Sequence, residues 1–398
     1  MQSVFQKACE NARMRLLALF LFIALAPEAF AQNPAATPRV CIEALRECFA
    51  TFSQALARVR PKQTITLSPG RYVGDVGVLR ASGVTIRSAD ANNRAILDAG
   101  GTSAEQKAIL VIRGENAVID GIEFVNARVA SKNGAGIRLE AGNLIVRNSK
   151  FDRNEMGILS GDHATGHIQI YDTEFSRSFR TDDTRISMAG YPAHNIYIGK
   201  TEKLTLRGVW SHSVEGGHAL KSRARNNDIE GSYFSTRLGT GSYEVEFPSG
   251  GNVRFVSNMV EQGIGSENHT MLAFGLELER FGNAGPHRAV IARNTFVNHL
   301  LLTGAMLKIA EVTDALVAGN VWVGPGKPAA RGNESANAMS LKDYANCDFR
   351  LSDDALAPAG QLPAARFEYV HPAKHRKRTD QASGAISPDS KVFEACPN

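Results

Sequence analysis

The sequence predicts an all-β architecture, a right-handed single-stranded parallel β-helix closed at its N-terminal end by a short capping helix. Three observations carry this expectation: an apolar pattern that recurs along the chain, strand-type alternation inside each copy, and an amphipathic segment ahead of the first copy.

The pattern places an apolar residue five positions before an apolar or aromatic one, with small or polar residues between them. Its copies are Ile119 to Phe124 (IDGIEF), Val146 to Phe151 (VRNSKF), Ile170 to Phe175 (IYDTEF), Ile229 to Phe234 (IEGSYF), Ile291 to Phe296 (IARNTF) and Val317 to Trp322 (VAGNVW). Leu206 to Ser211 (LRGVWS) and Phe255 to Val260 (FVSNMV) are weaker copies. Successive copies lie about 23 to 36 residues apart, the range of solenoid repeats. Gly, Asn, Asp and Ser separate the short apolar runs, and helix-length periodicity is nearly absent, so each unit reads as a coil of strands. One coil cannot bury its own inward face, and stacking supplies the core. Asn258, Asn294 and Asn320 hold one place in three late copies, where stacked amides would bond from coil to coil in a structural ladder.

The ends depart from the repeat. Phe52 to Val59 (FSQALARV) is the amphipathic segment, read as the helix that covers the open end of the core. Past Val323 the repeat fades into GPGKPAARGNESANA, a loop-rich stretch, and order returns near Phe367 to Val370. The run Lys374-His375-Arg376-Lys377-Arg378 reads as solvated surface. The organisation expected is therefore a signal peptide over 1–31, a cap over 32–62, the β-helix over 63–325, and a tail over 326–398 that packs on or caps the solenoid.

Lys7, Arg13 and Arg15, the apolar run Leu16 to Ala26, and Ala29-Phe30-Ala31 before Gln32 have the form of an export signal, with Met14 an alternative start. The apolar run is too short for a membrane span, so a periplasmic or secreted protein without a transmembrane segment is expected. Export leaves Cys41, Cys48, Cys347 and Cys396, for which three pairings exist. Cys41 with Cys48 and Cys347 with Cys396 is favoured, since each pair would lie at one end of the solenoid. The 45 basic and 40 acidic residues give a net charge of only +5, and no basic helix with interleaved aromatics suggests nucleic acid. A monomer is expected. No phosphate loop, nucleophile elbow or metal-spaced Cys/His set occurs.

Three resemblances follow from particular residues. The run Thr64 to Val76 (TITLSPGRYVGDV) resembles the entry segment of the pectate-lyase-like β-helix superfamily, in which a Pro-Gly turn precedes Tyr and leads into the first coil. The blocks HNIYIGK from His194, GGHALKSRARNN from Gly216 and GSYEVEFPSGGN from Gly241, with NTFVN at Asn294 to Asn298, look like a group of exported bacterial β-helix proteins known chiefly by fold. The run from Lys221 to Asn226 is similar to the Lys-Ser-x-x-Asn element of the alginate lyase and chondroitinase B family, β-helices that cleave uronate polysaccharides by β-elimination. That resemblance implies Lys221 as the base that takes the C5 proton. This chain has one extra residue before Asn226, and Glu244 and Glu246 stand where an arginine would assist.

Such an elimination needs a group that neutralises the uronate carboxylate, a base, and a proton for the leaving oxygen. Lys221, His218, Arg223 and Arg225 are the candidates for chemistry; His194, Asn195, Tyr197, Asn226, Glu244 and Glu246 are candidates for substrate binding, in a groove between His194 and Glu279. If Tyr243, Val245 and Phe247 face the core, alternation turns Glu244 and Glu246 outward, and Glu246 stacks over Lys221. Two readings of that pair stay open: a surface salt bridge worth at most about 1 kcal/mol, or a site where Glu246 orients the lysine or helps hold a cation such as calcium. Asp182 and Asp183 read as solvated loop residues. The functional expectation is a uronate polysaccharide lyase acting on an acidic chain, with a non-catalytic polysaccharide-binding β-helix as the alternative.

Overall fold

The computed structural model describes residues 39–179, 193–301, 304–311, 313–326, 341–343, 346–351 and 362–390. The export signal, Asp182, Asp183 and Cys396 lie outside them.

Each coil contributes one strand to each of three long sheets, of twelve, ten and nine strands. In one coil, Ala108–Ile112 belongs to the nine-stranded sheet, Ala117–Asp120 to the twelve-stranded sheet and Ile122–Val125 to the ten-stranded sheet. The next coil begins at Ala135–Leu139, in parallel register with Ala108–Ile112. The chain therefore winds as a right-handed parallel β-helix, as expected.

The recurring sequence pattern is the sharp corner between the twelve- and ten-stranded sheets. Its first residue is the last inward side chain of one strand and its final residue an inward side chain of the next: Ile119 and Phe124, Val146 and Phe151, and Ile170 and Phe175 are all buried. Two positions after the first residue, the backbone turns through the left-handed region at Gly121 (φ 71°), Asn148 (52°), Asp172 (47°), Gly208 (63°) and Gly231 (58°). Gly, Asn and Asp tolerate that region best, which is why these residues punctuate the repeat. Like residues then stack: the rings of Phe124, Phe151 and Phe175 lie 4.9 and 4.6 Å apart and nearly parallel. In the weaker copy Ser211, not an aromatic, takes the inward place in register with Phe175 and Phe234. Trp210 faces outward beneath the tail, 4.6 Å from the His371 ring.

The asparagine ladder forms as expected. Asn294 Oδ1 accepts from the Asn258 amide N–H and Asn320 Oδ1 from that of Asn294, at 2.9 Å each. Their side-chain amides donate to backbone carbonyls of neighbouring coils, so no buried polar group in the row is left unpaired.

The cap is the helix Phe52–Arg58, with Thr51 capping its N-terminus and Phe52, Ala55 and Leu56 turned to the core. Ahead of it, Val40–Ile42 and Glu47–Phe49 form an antiparallel pair joined by the Cys41–Cys48 disulfide.

The tail runs along the flank of the solenoid and departs from expectation at two points. Cys347 is disulfide-bonded, but it lies among Trp210, Tyr233, Met259 and Tyr369, beside the middle coils, not at an end. The basic run is not a solvated surface throughout. His375 bonds Asp172 at 2.7 Å, Arg376 pairs with Glu368 at 2.7 Å, and the buried Arg378 donates to Ser257 at 3.0 Å. Strand pairing of Lys374–Lys377 with Phe367–Val370 sets Arg376 against Glu368 within the tail, while His375 and Arg378 reach the solenoid.

Candidate active site

The site stands on the outer face of the nine-stranded sheet, where His194–Ile198, Leu220–Ser222 and Val245–Phe247 lie side by side. Leu220, Val245 and Phe247 point into the core, so alternation turns Lys221 and Glu246 out. Register sets Lys221 directly between Tyr197 and Glu246.

Lys221 Nζ lies 2.7 Å from Glu246 Oε2 and 3.4 Å from Glu277 Oε1. His218 Nε2 reaches the same Glu246 oxygen at 3.1 Å. Arg223 closes the other side: its guanidinium meets Glu277 at 2.7 Å, donates to Tyr197 Oη at 3.2 Å and Ser249 Oγ at 3.0 Å, and lies over the Phe281 ring. These side chains are largely withdrawn from water: 13% of Lys221 and 5% of Glu246 remain exposed. A pair so shielded is not the solvated surface bridge allowed for in the sequence.

Backbone donors orient the histidines. His194 Nδ1 accepts from the His218 N–H at 2.9 Å, and His218 Nδ1 accepts from the Tyr243 N–H at 3.2 Å. With Nδ1 an acceptor, neutral His218 carries its proton on Nε2, toward Glu246. Burial holds His194 well below the ordinary imidazole range, helped by the nearby charges of His218, Lys221 and Arg223. At Glu246, burial favours the neutral acid, but contact with His218 and the charges of His218 and Lys221 outweigh it and hold its pKa at about 2.

Four expected participants stand elsewhere. Asn195, within the strand His194–Ile198, is fully buried, and its amide donates to Ser211 Oγ and His212 O. Arg225 is exposed and has no side-chain partner among the described residues. Asn226 pairs with Glu202 and Asn252 on the twelve-stranded sheet, because the corner after Ser222 carries the chain onto another face. Glu244 is not outward: it is fully buried, accepts from Thr236 at 2.5 Å and Gln262 at 3.3 Å, and burial raises its carboxyl well above the usual range. The strand begins only at Val245, so alternation does not extend back to Glu244, and Tyr243 is half-exposed beside the His218 ring.

Sequence reasoning missed Glu277, Ser249 and Phe281. Glu277 precedes the short helix Leu278–Phe281 in an excursion from the coil, 56 residues beyond Lys221. The available signal was spacing: Phe255 and Ile291 are 36 residues apart, where most copies differ by about 25.

Calcium does not fit this donor set. It takes about 6–8 oxygen ligands, whereas two carboxylates meet here across an ammonium, and the described residues contain no group of three or more acidic, His or Cys side chains suited to a metal.

The chain matches no family model and no curated protein sequence. Among solved structures it is similar to pectate lyase Pel9A, at 16% identity and TM-score 0.56, over 85% of this chain and 91% of that one. It is also similar to the PL6 family alginate lyase AlyGC, at 14% identity and TM-score 0.43, over 69% of this chain and 38% of that one. At such identity what is shared with Pel9A is the fold, and the chain is a pectate-lyase-like right-handed parallel β-helix.

Proposed function

We propose that this protein is an exported polysaccharide lyase that cleaves a uronate-containing chain by β-elimination at Lys221. The observation that carries the reading is the Lys221 ammonium set between Glu246 and Glu277, with His218 and Arg223 in the same shielded cluster. Charged groups so placed at the face of a long solenoid are organised for a ligand that runs along it.

Arg223 neutralises the uronate carboxylate, exchanging Glu277 for it. Lys221, after its ammonium proton passes to solvent, takes the C5 proton; the electron pair forms the C4–C5 double bond and the C4–O bond breaks. Tyr197 protonates the leaving oxygen: its hydroxyl oxygen accepts from Arg223, while its own proton is uncommitted among the described residues. Glu246, steadied by His218, positions the lysine. The Cys41–Cys48 disulfide supports an oxidising, extracytoplasmic setting, and no described helix is long and apolar enough to cross a membrane.

The test is incubation with alginate, glucuronan, pectate and glycosaminoglycans while following the ultraviolet absorbance of the unsaturated product. Product should form with at least one of them, and Lys221→Met should reduce its rate by about 10²-fold or more. No product across the panel overturns the reading. A second reading, a non-catalytic polysaccharide-binding face, has its own support: Lys221 and Arg223 already meet carboxylates in the chain itself. Binding without turnover, unchanged by Lys221→Met, would establish it.

A further inference from the structure

The outward row of the nine-stranded sheet continues beyond Lys221 in both directions. Toward the N-terminus it passes through Tyr197 and Leu159 to Arg138; toward the C-terminus it passes through Glu246 and Ala273 to Lys308. Ile137 and Leu139 face the core, which turns Arg138 outward. Arg138 has no hydrogen-bond or ion-pair partner among the described residues, and its Nε is buried without an acceptor. A guanidinium has no acceptor capacity of its own and five N–H groups to satisfy, and it suits a carboxylate bidentately. Its outward neighbours in register, Val111 and Leu159, are apolar, so nothing beside it on the row supplies that carboxylate.

We propose that Arg138 is a carboxylate-recognition subsite for an acidic polysaccharide, which leaves Lys221 toward the N-terminal coils. The proposal rests on the reading of Lys221 as a uronate site and adds a direction and a length. Three strand steps separate Arg138 from Lys221, about 14 Å at roughly 4.8 Å per step. One step is close to the length of a pyranose in an extended chain, so Arg138 meets the carboxylate of the third residue from the one held at Lys221. Between them stands Tyr197, partly exposed over the buried Leu159, an aromatic side chain that can pack against the carbon-bound face of a sugar ring. The opposite direction is unfavourable to a polyanion, because the carboxylate of Glu246 is the next group beside Lys221 on the row.

The experiment measures the affinity of the whole protein for size-fractionated oligouronates, from dimers to hexamers, and for carboxyl-reduced hexamers. Hexamers should bind about tenfold more tightly than dimers. Arg138→Gln should remove that gain while leaving the dimer and the reduced hexamer unaffected, Arg138→Lys should retain part of it, and Lys308→Gln should change nothing. Equal affinity across the lengths, a loss in Arg138→Gln that the neutral hexamer shares, or full affinity in Arg138→Gln overturns the subsite. Unsaturated product is followed separately. A length-dependent affinity without product leaves the subsite standing and removes the lyase; product with a flat length dependence does the reverse.

Discussion

Two buried charge clusters on different faces of the same solenoid are built from similar groups and completed in different ways. Under the tail, Glu230 is fully buried, and both its oxygens are occupied: Arg254 donates at 2.7 Å, Arg366 Nε at 2.9 Å and the Phe367 amide at 3.2 Å. Asp228 beside it receives Arg207 and Arg366. On the nine-stranded sheet, Glu246 Oε2 lies at ion-pair distance from Lys221 and His218, yet neither approach has hydrogen-bond geometry. No backbone amide among the described residues completes it. The first cluster is saturated by the chain itself and fastens the tail to the solenoid; in the second, two cationic groups meet a single carboxylate oxygen at ion-pair distance.

The comparison can be broken at its strongest point. Glu230→Ala takes from Arg207, Arg254 and Arg366 one of the two carboxylates they share, leaving Asp228 alone to meet them, and should cost about 3 kcal/mol, with earlier proteolytic cleavage in the tail than in the solenoid. A core change that touches neither cluster sets the scale: Phe175→Ala should cost about 3–5 kcal/mol by thermal or denaturant unfolding, and an unchanged melt would show the inward register to be wrong.

Glu246→Gln should cost a similar amount in stability and more in function. The folded pKa of Glu246, about 2, lies below the ordinary 4.5. Its contribution is therefore complete above about pH 4.5 and lost as the pH falls toward about 2, and at neutral pH it amounts to about 3 kcal/mol. Wild type and Glu246→Gln should converge in stability near the acid end of that window. A constant difference down to pH 2 would place the effect in packing instead of charge. The smallest effect is expected at Arg225: exposed and unpartnered, Arg225→Ala should alter stability by less than about 0.5 kcal/mol and leave product formation unchanged, whereas Arg223→Ala should abolish it.

The fold was legible because its signal is local. An inward residue, a left-handed corner and a second inward residue lie within six positions, and eight such copies mark the coils from Ile119 to Trp322. The pairing of Lys221 with Glu246 was legible for the same reason, since alternation within two short strands and stacking of neighbouring coils determine it. Legibility ended where a strand or its pairing did. Glu244, one residue before Val245, faces inward; Asn195, inside the strand His194–Ile198 but skipped by its pairing with the preceding coil, is buried; Arg225 and Asn226, past the next corner, belong to another face.

By itself, then, the sequence determined the β-helix, its capping helix, the asparagine ladder and the outward placement of Lys221 and Glu246, because each depends on periodicity within a coil or identity between adjacent coils. Only the tertiary structure decided that Glu277 reaches back over 56 residues to Lys221, that Arg223 joins the cluster while Arg225 does not, and that the basic tail is a clamp. Those outcomes depend on where excursions from the coil and the returning tail come to rest, and such contacts are set by the packing of distant segments, for which no local period exists.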